Sequence, residues 1–441
     1  MRSLRNCLTR VALAAAIAAG APLAAQAQSL QALYEAARGY DATFLSAKAL
    51  ADSARYRAAQ SEALARPSAA LVGSATATRI YPQYGPNGDS NALAGSLNGQ
   101  YTLFNRSNDA TIAQARESLK SAQADLEAAQ QDLIVRVAQA YFDVLGAQDN
   151  LATTRANKVA ITEQLASAKR NFEVGTATIT DTREAQSRFD LAVAQELQAE
   201  NDLHTKRIAL DQLVGRSGVA PDPLRVPVVL PAPLPDDAEA WVTVGDTRSP
   251  SVRRARVALD VARLETEKAR AGSLPTLNAV ASVGTERDTG NYVLRAGTNR
   301  TASIGLQFNL PLYTGGAVQN RLEETLVLED KARNDLDAAR RGVAQGVRVA
   351  FYNLKSGLAQ VKALEAAEAS SKLSLEATQL GYKVGVRVNV DVLNAQSQLY
   401  QTQRDLAQAR YNVLLGTLKL RQAAGELGDA DIEAVNSLLA Q

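Results

Sequence analysis

Cysteine, histidine, methionine and tryptophan are almost missing from this chain of 441 residues; each occurs once. One Cys and one His exclude both a Cys/His metal site and a disulfide framework. Aromatic residues make up only 5 %, low for a compact domain with a large conventional core. An excess of one charge is missing too. Lys plus Arg number 48 against 46 Asp plus Glu, a net charge of +2, which disfavours a nucleic-acid binder. Proline occurs 13 times but never in 106–220 or 312–441, so long uninterrupted elements must fill those stretches. Enzyme chemistry is absent as well. His204 has no nucleophile partner in the pattern, there is no Gly-rich phosphate loop, and no acids cluster outside the repeating helical segments. His204 reads as structural or solvent-facing, and no cofactor is expected.

Long hydrophobic runs are also scarce. The clearest, Val11 to Ala19, is too short to span a bilayer and follows Arg2, Arg5 and Arg10. Ala25-Gln26-Ala27 fits the small-residue cleavage rule, so 1–27 read as an export signal and the mature chain begins near Gln28. Losing three arginines takes the net charge from +2 to about −1 and removes Cys7. Cys7 precedes the apolar run, so no lipid anchor is indicated. No other segment approaches 18 apolar residues, so no transmembrane helix is expected in the mature chain and a multi-helix inner-membrane transporter is excluded.

The mature chain reads as one unit written twice. A shift of 210 positions brings Val174-Gly175 onto Val384-Gly385, Asp181 onto Asp391, and Ala185-Gln186-Ser187 onto Ala395-Gln396-Ser397. It also brings Tyr141-Phe142 onto Phe351-Tyr352 and Ala128-Ala129 onto Ala338-Ala339; earlier, a shift of 208 pairs Pro67 with Pro275. The halves, 28–215 and 240–428, flank a linker at 216–239 holding Pro221, Pro223, Pro227, Pro231, Pro233 and Pro235. Residues 429–441 read as a C-terminal tail.

Each half repeats one plan: helix, strand pair, long helical hairpin. A first helix over about 30–64 stops at Pro67. Residues 92–104 alternate, with Leu93, Gly95, Leu97, Gly99, Tyr101 and Leu103 on one face. Their partner is Ser68 to Thr78. In the second half the strands are about 276–285 and 301–311, with Ala302, Ile304, Leu306, Phe308 and Leu310 on one face. Such alternation fits a half-buried soluble strand or a strand of a membrane barrel. Three features favour the barrel. The strands have bilayer-crossing length. Tyr81, Tyr84, Tyr101, Phe104, Tyr292, Phe308 and Tyr313 crowd their ends, where interfacial aromatics belong. The chain is exported. Four strands cannot close a barrel, and open edges are prohibitive in lipid, so an oligomer must pool strands; a trimer gives twelve.

The proline-free stretches read as helical hairpins over about 107–215 and 316–425. Leu133, Val137, Ala140, Val144, Ala147 and Leu151 step by four and three, a coiled-coil seam; Val343, Val347, Ala350 and Leu354 begin a matching one. A helix from Ser107 to Phe172 is roughly 100 Å long, a projecting rod. Its turn runs Val174-Gly175 to Asp181, with Val384-Gly385 to Asp391 in the second half. Gly ends one helix and Asp starts the next. A plain hairpin turn explains both, but not Tyr382 and Arg387 beside the second.

With these segments in view, the chain resembles the outer-membrane efflux and secretion channels, the TolC-like family. The resemblance covers essentially the whole mature chain. Its most specific stretches are Ala140-Tyr-Phe-Asp-Val-Leu145, Phe172-Glu-Val-Gly175 with Ile179-Thr-Asp181, Gly381-Tyr-Lys-Val-Gly385 with Val390-Asp-Val-Leu393, and Leu310-Pro-Leu-Tyr-Thr-Gly-Gly316. The resemblance implies a mainly α protein with membrane β-strands. It implies a homotrimer whose twelve-stranded β-barrel crosses the outer membrane, continued by a periplasmic α-helical barrel, with the linker in an equatorial belt. It implies no enzymatic activity. The duct would serve type I secretion or tripartite drug efflux, driven by an inner-membrane ABC or proton-driven transporter through a periplasmic adaptor.

The family's entrance lies at the helical turns. Tyr382 and Arg387 match its gate residues, and Thr180 and Asp181 match the partners they hold. Asp391 matches a ring of acids at the narrowest point. Val174, Gly175, Val384 and Gly385 fall at the adaptor-contacting turns. Two positions depart from the family: Asn394 stands where a second acid ring is usual, and Arg170 stands in place of a gate Gln. A competing reading is a periplasmic coiled-coil adaptor, but that calls for an inner-membrane anchor or lipid Cys and β-rich domains flanking one hairpin.

Overall fold

The computed structural model describes residues 28–85, 87–225, 227–290 and 297–440. The export-signal reading and Tyr292 lie outside the described residues. The first repeat opens with helices α1 (Leu30–Tyr40) and α2 (Ala42–Glu62), where the sequence suggested one helix. The break is Asp41, whose backbone is extended at φ −60°, ψ 114°. Its carboxylate accepts the Phe44 N–H at 2.7 Å and takes Arg136 in a bidentate pair at 2.9 and 3.0 Å. Local capping plus a charge-assisted fork outweighs helix continuation here. That pairing also holds the Asp41 carboxyl below the usual carboxylate range.

Strand β1 (Ser68–Ile80) and strand β2 (Gly88–Phe104) follow, then helix α3 (Arg106–Glu173) and helix α4 (Ile179–Val214). The second repeat supplies α5 (Ala238–Arg248), α6 (Pro250–Ala271), β3 (Thr276–Thr289), β4 (Gly297–Asn309), α7 (Ala317–Lys383) and α8 (Asn389–Ala424). The hairpins match in length: α3 and α7 have 68 and 67 residues, and α4 and α8 have 36 each. A further helix α9 (Asp429–Asn436) lies in the C-terminal tail. No helix among the described residues is long and apolar enough to cross a membrane.

The four strands form one antiparallel sheet in the order β1-β2-β3-β4, so the two repeats join through β2 and β3. The strands extend past the reach of the alternation, through polar Gly88-Asp89-Ser90-Asn91 and Glu286-Arg287-Asp288-Thr289. The last strand stops at Asn309, short of position 311, because Pro311 has no N–H to donate. A register shift between Thr102 and Phe104 takes Leu103 out of the alternation and sets Phe104 opposite Leu277.

Register sorts the faces. Leu71, Leu97, Val283 and Ala302 stand side by side, as do Ala69, Gly99, Ala281 and Ile304. The other face carries Ala70, Asn98, Ser282 and Ser303, and the Ser282 and Ser303 hydroxyls bond at 2.8 Å. The apolar face is bare: Leu71 is 82 % exposed, Ile304 88 % and Leu306 69 %.

Contacts divide the chain into two compact units. One takes in the sheet, within 46–129 and 242–346. Its helices pack around Val252, Leu259 and Leu336. Of the described residues, the other holds 28–45, 130–241 and 347–440. Its core includes Tyr141, Phe142 and Tyr411; Phe142 stacks on Tyr411 at 5.7 Å. The Tyr141 hydroxyl donates to the Asp222 and Gln28 carbonyls at 3.0 and 3.3 Å, pinning the linker and the first described residue to α3. In the α3 seam Leu133, Val137, Val144, Ala147 and Leu151 are buried and Ala140 is half-buried. In the α7 seam Val347 and Leu354 are buried, Val343 and Ala350 half-buried.

Candidate functional site: the two helical turns

Both hairpin turns lie within the second of these units. Each long helix ends in the same glycine cap. Gly175 and Gly385 adopt left-handed φ of 79° and 80°. At the first turn Gly175 N–H bonds Phe172 O at 3.0 Å and Thr176 N–H bonds Asn171 O at 2.8 Å. At the second, Gly385 N–H bonds Tyr382 O at 3.1 Å and Val386 N–H bonds Gly381 O at 2.9 Å. These are Schellman pairs, which satisfy carbonyls the helix end would leave open. Val174, Val384, Val386 and Val388 project into solvent at the turns.

The starts of the return helices differ. In α4 the Thr178 hydroxyl accepts the Asp181 N–H at 3.2 Å, and the Asp181 carboxylate accepts the Thr178 N–H at 3.0 Å. The Thr178 hydroxyl also lies 2.7 Å from that carboxylate. Asp181 is therefore engaged in its own capping box. In α8 the equivalent cap is Val388, whose side chain offers no oxygen. Asp391 turns instead to Arg387, with 3.6 Å between guanidinium and carboxylate. Arg387 is 63 % exposed at its side chain, so this ion pair is worth less than about 1 kcal/mol.

Tyr382 links the two hairpins: its hydroxyl accepts from the Asn171 amide at 3.3 Å. No hydrogen bond or ion pair among the described residues joins Tyr382 or Arg387 to Thr180 or Asp181 within the chain; Thr180 is exposed. Asn394 accepts from Arg188 at 3.2 Å, and Arg188 in turn pairs with Glu184 at 3.0 Å. Arg170 is exposed near the end of α3. Below the turns, Ile161, Leu165, Ala168, Ala185, Ala192 and Leu393 form a small apolar cluster.

Sequence reasoning missed Asn171, Thr178, Arg188 and the role of Gly381. A Cβ on Gly381 would sit 2.8 Å from Arg387 Cγ, so this glycine lets the Arg387 side chain lie across the helix end. The glycine-to-arginine spacing of six is visible in sequence, but the close approach needs the folded turn. Among the described residues no group of three or more His, Cys, Asp or Glu is placed to hold a metal ion.

Away from the turns, burial shapes the chemistry of this unit. It raises the Asp149 carboxyl, which accepts the Tyr411 hydroxyl at 2.6 Å. Burial, then the bond to Asp429, pushes the Tyr34 hydroxyl up to about 12.

The family model described as outer membrane efflux protein matches residues 33–216 and 246–426, one match per repeat. The chain is 33 % identical to the outer membrane protein TolC of Vibrio cholerae, covering 93 % of this chain and 94 % of that protein. It is 35 % identical to the alkaline protease secretion protein AprF of Pseudomonas aeruginosa, over 69 % of this chain and 64 % of that one. The crystal structure of the outer membrane protein VceC of Vibrio cholerae superposes with a TM-score of 0.77, covering 90 % of this chain and 96 % of that one at 21 % identity. With the fold and the sequence of both repeats in agreement, the chain belongs to the outer membrane efflux protein family.

Proposed function

We propose that three copies of this chain assemble into one duct. The chain is an outer-membrane exit channel for efflux or type I secretion. The observation that carries the trimer is the sheet. One chain presents four strands, an apolar face turned to solvent, and open edges at β1 and β4. In lipid each unpaired N–H or C=O costs several kcal/mol. Four strands are too few to close, since the smallest bacterial barrels have eight. Three copies give a twelve-stranded barrel with apolar residues outward and Asn98, Ser282 and Ser303 lining water. The helical hairpins then form the periplasmic tunnel.

The duct performs no chemistry. An inner-membrane ABC or proton-driven transporter supplies energy, and a periplasmic adaptor docks at the turns around Val174, Gly175, Val384 and Gly385. In the closed mouth Tyr382 and Arg387 engage Thr180 and Asp181 where copies adjoin, and three Asp391 carboxylates ring the opening. Threefold carboxylates attract cations. Arg170 and the neutral Asn394 moderate that attraction. Partly dehydrated arginine–carboxylate bonds hold a seam and yet yield to a docking partner.

Planar-bilayer recording of the detergent-purified full chain tests this reading. Discrete channel steps in a particle of three chains are expected. A single-chain particle that never forms steps contradicts it.

A further inference from the structure

The four strands carry six charged residues, Arg79, Asp89, Glu286, Arg287, Asp288 and Arg300, and all lie toward the turn ends, away from the helices. Register places Arg287 opposite Thr298 and Arg300 opposite Thr285. The two arginines are therefore diagonal neighbours on the apolar face, roughly 7 Å apart. Both are exposed, and neither makes a hydrogen bond or ion pair among the described residues. The acids do not neutralise them. Asp89 on the same face is paired with Arg79 at 3.5 Å, and Glu286 and Asp288 alternate to the other face.

Depth along the sheet fixes their setting. From the helix end, four successive rows of the apolar face are uncharged, from Leu277 and Phe308 up to Leu71, Leu97, Val283 and Ala302. Those rows span roughly 20 Å along the strands. With the ~40° tilt of barrel strands they rise about 15 Å, which sets the next two rows at about 20 and 25 Å, the outer margin of the ~25 Å apolar band of outer-membrane barrels. Arg300 stands in the next row and Arg287 one row beyond. Arg300's row also holds Gly73 and Gly95, which leave a trough running down to Leu71 and Leu97.

We infer that Arg287 and Arg300 form a clamp for the phosphate of an anionic lipid headgroup in the outer leaflet, with an acyl chain lying in the glycine trough. The inference rests on the duct reading, which sets this face in lipid and the strand turns outward. Two guanidinium groups side by side offer planar donor forks matched to phosphate oxygens. At the headgroup level they are partly dehydrated and weakly screened, where such bonds are strongest.

The test uses the detergent-purified full chain and bisphosphorylated lipid A in dodecyl maltoside micelles, with fully dephosphorylated lipid A for comparison. The wild type should bind the phosphorylated lipid at least tenfold tighter. Arg287→Gln with Arg300→Gln should abolish that ratio, Arg287→Lys with Arg300→Lys should keep part of it, and Arg79→Gln should leave it unchanged. An undiminished ratio in the double Gln variant overturns the clamp, as does full displacement of the lipid by millimolar inorganic phosphate. Conductance is recorded in parallel: a wild type that forms channels but shows no phosphate preference overturns the clamp while the duct stands.

Discussion

The Asn171 amide donates to the Tyr382 hydroxyl at 3.3 Å, tying the first hairpin of the chain to the second beside their turns. The repeat is asymmetric at this point. A shift of 210 sets Tyr382 on Phe172 and Asn171 on Gly381, so the bond can form in one direction only. The two hairpins are nearly equal in length, and the different residues they carry at two aligned positions, 171/381 and 172/382, make this contact specific.

Tyr382→Phe and Asn171→Ala remove the same bond from opposite ends. Each is expected to raise single-channel conductance in planar bilayers, and the double variant should rise no further than the larger single effect, because the two share one interaction. Additive increases would show that the bond does not couple them.

Gly381→Ala separates gating from stability. The new methyl meets Arg387 Cγ at 2.8 Å and must displace that side chain. Conductance should rise, and Arg387→Ala should raise it by a similar amount. The melting temperature should hold or increase, since Ala favours helix over Gly by about 1 kcal/mol. A fall in melting temperature without a conductance change contradicts this.

Asp391→Ala removes the carboxylate proposed to ring the mouth and leaves Arg387 without its ion-pair partner. Cation preference should fall, measured as a smaller reversal potential in a salt gradient. An unshifted reversal potential removes Asp391 from the conducting path.

Two acids, the buried Asp41 and the half-buried Asp149, should respond to pH with opposite sign. Asp41 has a depressed pKa, so its contribution to stability is present above its unfolded value near 3.8 and is lost as pH falls through the lower folded value. Arg136→Gln should therefore cost roughly 3 kcal/mol at pH 7 and progressively less below pH ~4. Asp149 has a raised pKa, so the folded state loses stability as pH climbs from about 3.8 through its higher folded value. Asp149→Asn keeps the acceptor for the Tyr411 hydroxyl and should be neutral or stabilising at pH 7. Melting temperatures from pH 3 to pH 8 check both.

Much of this architecture is legible in the residues alone. Period-two alternation marks the four strands because each face meets a different solvent, as Ile304 and Ser303 show. The missing prolines and the Val-Gly turns mark the hairpins because nothing else breaks so long a helix. What stays hidden depends on distant partners. Asp41 is compatible with a helix, and only Arg136, 95 positions away, makes the break favourable. Asn171 is an ordinary polar residue until Tyr382 reaches it from 211 positions further on. The strand tips at Gly88–Asn91 and Glu286–Thr289 are polar on both faces, so alternation cannot reveal them.

The central claim is that β4 of one copy pairs with β1 of the next. One cysteine placed at Ala70 on β1 and a second scanned along β4 from Thr301 to Asn309, in a Cys7→Ser background, tests it directly. Under mild oxidation in the outer membrane, at least one pair should yield denatured bands of two and three chains, at positions spaced by two along β4. If every pair leaves only single chains while the protein remains in that membrane, the pooled barrel is wrong.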